Sequence, residues 1–264
     1  MDLELDNRHV LITGASRGIG LACARLFLAE GARVTLVARD VARLEAARAA
    51  LAADFPASSV AAHAADLCDA DAAASMVQAA QAGQGPVDIL VNSAGAARRT
   101  PPDDLTPRAW HDAMSAKYFS YIHVIDPLIK QMAVRGHGVI VNVVGMGGKV
   151  ATPVHLPGGA ANAALMLASA GLANAYGPRG VRVNVINPGL TRTERMQEGL
   201  EAEARLNGIT PEEALRRAAE RLPLRRIAEA DDIAQAVLFL ASARAGYVNG
   251  AVLAMDGGLT PMVV

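Results

Sequence analysis

The chain alternates short runs of β-branched and aliphatic residues with alanine-rich stretches of helical length, almost from end to end. Strands are expected at Val10–Thr13, Arg33–Ala38, Val60–Ala64, Ile89–Asn92, Val139–Val144, Arg182–Ile186 and Val252–Met255. Helices fit between them at Ile19–Glu30, Val41–Ala53, Ala70–Ala80, Pro107–Val134, Ala160–Tyr176 and Asp231–Ala241. The strand runs are continuously apolar rather than alternating, the mark of strands covered on both faces. Repeated strand–helix–strand units require a parallel sheet with helices on both sides. The expectation is an α/β fold, a doubly wound parallel sheet of about seven strands, in a single domain over residues 1–264.

Composition narrows the partners. The chain has 264 residues, 52% hydrophobic and 19% charged, enough for a sizeable core. Aromatics make up 3% and the net charge is −1, so neither stacking platforms nor an electrostatic footprint for nucleic acid is present. The two cysteines, Cys23 and Cys68, read as small buried hydrophobes rather than a disulfide or metal site. Asp2, Glu4 and Asp6 argue against a signal peptide. The most apolar run, Gly158 to Ala173, falls short of the roughly 20 residues that cross a bilayer. A soluble cytoplasmic protein acting on a small molecule, with no membrane or nucleic-acid partner, is expected.

Residues 191–226 break the rhythm. No strand is expected from Thr191 to Arg226, but two charged helical segments, Glu201–Leu206 and Pro211–Leu222, bracket Asn207-Gly208. Thr210 before Pro211, Glu212 and Glu213 is a good helix start. The excursion follows the sixth strand, at the carboxyl edge where ligands bind in such sheets, and is read as a small helical substrate lid, the alternative being a solvated helical hairpin with no role in catalysis. Arg192, Arg195 and Glu198 stand near its start.

The first strand runs into Thr13-Gly14-Ala15-Ser16-Arg17-Gly18-Ile19-Gly20, and a helix follows at once. Gly14, Gly18 and Gly20 let the backbone turn tightly and approach a pyrophosphate. The exposed N–H groups of the helix start favour the anion. A strand before the turn and a helix after it make this a Rossmann-type dinucleotide loop rather than an ordinary tight turn. Strand two ends Val37-Ala38-Arg39-Asp40. Arg39 and Arg17 can clamp the 2′-phosphate of NADP, while Asp40, which could instead hold a ribose hydroxyl, is read as the cap of the helix at Val41. NADP(H) rather than NAD is the expected cofactor.

The Thr-Gly-x-x-x-Gly-x-Gly spacing resembles the short-chain dehydrogenase/reductase family, and further segments agree. Asn92-Ser93-Ala94-Gly95 resembles the family's Asn-Asn-Ala-Gly segment. Asp66 and Leu67 match the position that contacts adenine, and Asn187-Pro188-Gly189 with Thr191 and Thr193 matches the segment that holds the nicotinamide carboxamide. Asp256-Gly257-Gly258 resembles the family's ending. The resemblance thus implies cofactor contacts from Gly14, Ser16, Arg17, Gly18, Ile19, Gly20, Arg39, Asp66, Leu67, Asn92, Ala94, Gly95, Pro188, Gly189, Thr191 and Thr193.

The resemblance also implies an Asn–Ser–Tyr–Lys tetrad, in which Tyr is the acid/base, Lys lowers its pKa and Ser orients the carbonyl. Here the serine position falls on Gly145, the tyrosine on Gly158 and the lysine on Asn162. With Trp110 as anchor, the asparagine position falls on Lys117. Lys and Asn have traded places, which keeps one ammonium and one amide at that end of the site; an ordinary surface or interface lysine is the plain alternative. His155, three residues before Gly158, is a candidate acid that titrates near neutrality. Its alternative is a loop histidine packed between Pro153 and Pro157. Lys117, His155 and Asn162 are the candidate catalytic residues. The two inert glycines remove bulk, which could admit a larger substrate or water. Tyr118 points to another helix face, and His123, Asn142 and Met146 are read as structural. No metal site is expected.

Three readings stay open: an atypical NADP-dependent oxidoreductase on a small carbonyl or alcohol, a cofactor-binding pseudoenzyme serving as scaffold or sensor, and a non-redox lyase or isomerase. The helix Ala160–Tyr176 is apolar nearly all round and should be buried on more than one side. With the tail Val252 to Val264, it points to a homodimer or homotetramer.

Overall fold

The computed structural model describes residues 2–95, 100–194, 196–197, 200–201, 204 and 208–261. Seven strands form one parallel sheet: β1 (His9–Thr13), β2 (Arg33–Ala38), β3 (Val60–Ala64), β4 (Ile89–Asn92), β5 (Gly138–Val143), β6 (Val181–Pro188) and, as the last strand of the chain, β9 (Val252–Met255). Their order is β3-β2-β1-β4-β5-β6-β9. Every residue of β1 and β4 is buried, as continuous apolar runs require.

Helices cover both faces. On one lie α1 (Gly18–Ala29), α2 (Val41–Asp54) and α8 (Ala230–Ala241), packed around Phe27, Leu36 and Val237. The other carries α3 (Ala70–Gln84), α5 (Ser120–Arg135) and α6 (Leu156–Tyr176), around Leu90, Leu128 and Ile140. Local chemistry sets the ends. Asp40 accepts from the Arg43 amide and caps α2, so the capping role assigned to it holds. Gly85 and Gly136, both with positive φ, follow the ends of α3 and α5.

The long helix expected over Pro107–Val134 is in fact three pieces. An α-helical start, α4 (Pro107–Ala113), passes into a π-helical turn, Met114–Phe119, and then into α5. The Ser120 hydroxyl donates to the carbonyls of Ala116 and Lys117 at 3.0 and 3.3 Å, satisfying acceptors in the widened turn. Lys117 lies in that turn, which packs against α6.

The region 191–226, expected to be a lid, departs from expectation in one respect. Thr191–Arg192 (β7) pairs in parallel with Ala228–Glu229 (β8), so the excursion opens and closes on a two-stranded clasp. The Arg192–Glu229 ion pair, at 3.0 Å, reinforces it. Strand alternation is unreadable in two residues, which is why the sequence hid it. Helix α7 runs over Pro211–Glu220, and Thr210 accepts from the Glu213 amide as expected. Leu200, Ala204 and Ala214 make a small separate core. Arg195, Glu198, Asn207 and most of the segment Glu201–Leu206 lie outside the described residues, as does the end of the tail.

The apolar helix is longer than its sequence run. With flanking 3-10 turns it extends over Pro153–Arg179, long and apolar enough to cross a membrane by length and composition, with half its most apolar window buried in the fold as in a core helix. Cys23 is fully buried and its thiol is pushed up to about 12 by desolvation. Cys68 is half-buried, with its thiol 3.7 Å from the Ser115 carbonyl.

Candidate functional site

The sheet order reverses between β1 and β4, and the loops after these two strands meet there. A Cβ added to Gly14 (φ +67°) would fall 2.7 Å from the Ser93 carbonyl oxygen and 2.8 Å from the Ala94 nitrogen. On Gly20 it would fall 2.4 Å from the Gly14 oxygen. Only a bare backbone permits this approach of helix start to loop. The amides of Ser93 and Ala94 donate to the Thr13 hydroxyl, fixing the β4 loop over the glycine turn.

A buried polar row runs across the carboxyl ends of the strands. The Thr13 hydroxyl donates to Asn92, the Asn92 amide donates to Asn142, and the Asn142 amide donates to Ser169 at 2.9 Å. The Ser169 hydroxyl donates to the Leu165 carbonyl in α6. Asn92, expected at the cofactor, and Asn142, expected to be structural, are both links in it. Asn187, beside the nicotinamide segment, donates to the Val144 carbonyl. Gly189 sits against Asp256, whose carboxylate accepts from the amides of Gly258 and Thr260 and so closes the C-terminal turn under Pro188-Gly189.

Cations gather where the adenosine is expected. Arg39 is exposed past β2, Asp66 is exposed past β3 with Leu67 buried beneath, and Arg17 stands on the glycine loop. Arg17 pairs with Glu194 at 3.0 Å, and Arg43 approaches the same carboxylate at 4.0 Å. Thr193 touches Gly18: a Cβ on Gly18 would lie 3.3 Å from its methyl. Neither Arg43 nor Glu194 was among the expected contacts. Arg43 stands in the first turn of α2, one turn past Arg39, and that spacing was the available signal.

The glycines beside the expected catalytic positions are closely packed, whereas Gly145, one of the two positions expected to vacate volume, has room. The turn Met146–Gly148 after β5 is pressed onto the start of α6. Added Cβ atoms would lie 2.9 Å from the His155 ring on Gly147, 2.8 Å from the Ala163 nitrogen on Gly148, and 2.7 Å from the Gly147 oxygen on Gly159. Gly158 is buried. Gly145 alone of this group has room, meeting only the Asn162 amide nitrogen at 3.5 Å. Bare backbone has been used to close helix onto turn.

His155 and Asn162 therefore meet around Gly147, with Asn162 buried and its side-chain oxygen lacking a hydrogen-bond partner. Lys117 lies one strand over. Its stem runs under Gly95, and its ammonium stands 5.6 Å from the centre of the Tyr121 ring. It is half-buried rather than a solvated surface lysine. Tyr121 is no substitute acid: its hydroxyl is buried, donates to the Val143 carbonyl at 2.8 Å, and is pushed far above its usual pKa by desolvation. Tyr118 packs edge-on against Phe119, and His123, read as structural, bonds the Leu67 carbonyl. Among the described residues no cluster of His, Cys, Asp or Glu has metal-binding geometry.

Known proteins share this plan. The family model described as enoyl-(acyl carrier protein) reductase matches residues 14–260. Gluconate 5-dehydrogenase of Gluconobacter oxydans (strain 621H) is 34% identical over 97% of this chain and 96% of its own length. The crystal structure of L-sorbose reductase from Gluconobacter frateurii, complexed with NADPH and L-sorbose, superposes with a TM-score of 0.94 at 30% identity, covering 100% of both chains. An NADPH-bound short chain oxidoreductase from Pseudomonas aeruginosa PAO1, described as containing an atypical catalytic center, is 32% identical over 98% of this chain and 99% of its own, with a TM-score of 0.88. The glycine loop at the topological switch, the seven-stranded order and the end-to-end similarity lead to one assignment: the chain belongs to the short-chain dehydrogenase/reductase family.

Proposed function

We propose that this protein is an NADP(H)-dependent oxidoreductase of atypical catalytic centre, acting on a small polyhydroxylated carbonyl or alcohol. One observation carries the cofactor reading: the cradle at Gly14 and Gly20, which any Cβ would fill, lies on the loop that carries the half-buried Arg17, with Arg39 exposed past β2. Gly14, Ser16, Arg17, Gly18, Ile19 and Gly20 would hold the pyrophosphate, Arg39 with Arg17 the 2′-phosphate, and Asp66 with Leu67 the adenine. Asn92, Ala94, Gly95, Pro188, Gly189, Thr191 and Thr193 would line the ribose and nicotinamide end. When bound, the nicotinamide supplies or takes the hydride.

The substrate class rests on the gluconate and sorbose relatives. The catalytic reading rests on residue identity. Glycine at 145 and 158 offers no hydroxyl, so proton supply falls to the imidazole of His155 and positive charge to Lys117. Asn162, aimed at the Gly145 position, would orient the substrate oxygen through its amide. The P. aeruginosa relative with an atypical catalytic center supports a working site of unusual composition. A second reading, cofactor binding without turnover, draws support from the closed packing of Gly147, Gly148 and Gly159.

Cofactor oxidation followed against a panel of keto sugars and polyols separates the two. Turnover that is lost in His155→Ala or Lys117→Ala supports the first. Tight NADPH binding with no turnover on any substrate supports the second, and absence of NADPH binding refutes both.

We also propose self-association as a homodimer or homotetramer. The outward face of α6 carries Ala163, Leu167, Ala170 and Gly171, and Leu167 is 78% exposed. An apolar helix face of this kind calls for a partner surface.

A further inference from the structure

Glu194 sits where a carboxylate is least expected, against the cations of the phosphate site. Its carboxylate takes the Arg17 guanidinium at 3.0 Å and stands 4.0 Å from that of Arg43. Arg17 belongs to the glycine loop, Arg43 to the first turn of α2, and Glu194 to the first turn of the lid. The same lid turn is tied to the loop a second way. The Thr193 hydroxyl accepts from the Met196 amide, capping the turn, while its methyl rests on Gly18. The lid thus begins docked on the cofactor loop, with Glu194 as its anionic plug.

We propose that Glu194 is a specificity-determining residue, an internal competitor for the 2′-phosphate of NADP(H). This rests on the cofactor reading above. A guanidinium offers two donors on one edge, and a phosphate dianion that claims them must dislodge the carboxylate or lie beside it against like charge. NADH, which presents a hydroxyl instead, need not disturb the pair. Glu194 therefore lowers NADPH affinity selectively. All three side chains are substantially exposed, so the penalty is modest, within the range of about 0–1 kcal/mol for exposed pairs, or up to roughly fivefold in Kd.

The test compares wild type with Glu194→Gln, binding NADPH, NADH, adenosine 2′,5′-bisphosphate and adenosine 5′-diphosphate by calorimetry at low and high salt. The variant should bind NADPH and the bisphosphate about two- to fivefold more tightly, with the other two ligands changed less than about twofold. The gain should shrink as salt screens the pair. Equal gains for all four ligands, or none, overturn the proposal. A wild-type preference for NADH overturns the cofactor reading instead, and the two adenosine fragments then still decide the role of Glu194. Glu194→Asp, which keeps the charge, should discriminate as wild type does; if it behaves as Glu194→Gln, the charge is not the cause.

Discussion

Gly148→Ala tests whether bare backbone is what joins the catalytic turn to α6. The added methyl would lie 2.8 Å from both the Ala163 nitrogen and the Asn162 carbonyl carbon, and 2.9 Å from the Asn162 Cβ. Ordinary contact begins near 3.4 Å, so turn and helix must part by about 0.6 Å against atoms that have no rotamer to change. Overpacking of this kind costs about 1–3 kcal/mol, and the two backbone contacts put it at the upper end, ~2–3 kcal/mol. For a chain of this size that is a fall in Tm of about 4–12 °C. Gly145→Ala is the control, because its methyl meets only the Asn162 amide nitrogen at 3.5 Å. Chemical denaturation of the two variants beside wild type gives the comparison. Equal midpoints for Gly148→Ala and Gly145→Ala would refute the packing argument.

The buried row offers a second test. Asn142→Ala strips Asn92 of its acceptor and Ser169 of a donor; about 2–4 kcal/mol should be lost in denaturant titrations. His9 gives a pH dependence. It is buried between the Gly85 carbonyl and the Thr35 hydroxyl, at 2.8 and 2.9 Å, and desolvation lowers its pKa from 6.5. A lowered folded-state pKa means the unfolded chain binds the proton more readily, so stability is full above about 6.5 and declines as pH falls through the folded value. His9→Gln should flatten the slope of unfolding free energy between neutrality and mild acid; an unchanged slope would count against the assignment. On the outward face of α6, Leu167→Glu should shift the protein to a smaller assembly by light scattering without loss of helicity, and a wild-type mass would exclude that face.

Much of the architecture was legible because period and punctuation agree. β2, β3, β4 and β9 begin and end where the apolar runs do, and Asp40 and Thr210 cap where side-chain chemistry says they should. What escaped was set by tertiary contact. The π turn around Lys117 has no local signature, since Met114–Phe119 reads as ordinary helix. The two-residue clasp of β7 and β8 is shorter than any periodicity. At the site, the glycine cradle and its arginines were readable because they are contiguous with one strand–helix junction. The Glu194 pairing joins residues 177 apart and is a product of the fold. The close packing at Gly147, Gly148 and Gly159 was not read from the sequence for a related reason: a glycine signals a missing side chain in sequence, but only a neighbour shows whether the gap is empty or filled.

Thr13, Asn92 and Asn142 are direct register partners on β1, β4 and β5. A slip of one residue in any of these strands would turn each polar side chain to the opposite face and strand its mates in an apolar interior. The row therefore acts as a key cut across the middle of the sheet, accepting one alignment of the two halves of the chain. Apolar strands of similar composition could otherwise pair at several offsets with little penalty. Three side chains thus penalise any misaligned pairing, with or without a ligand.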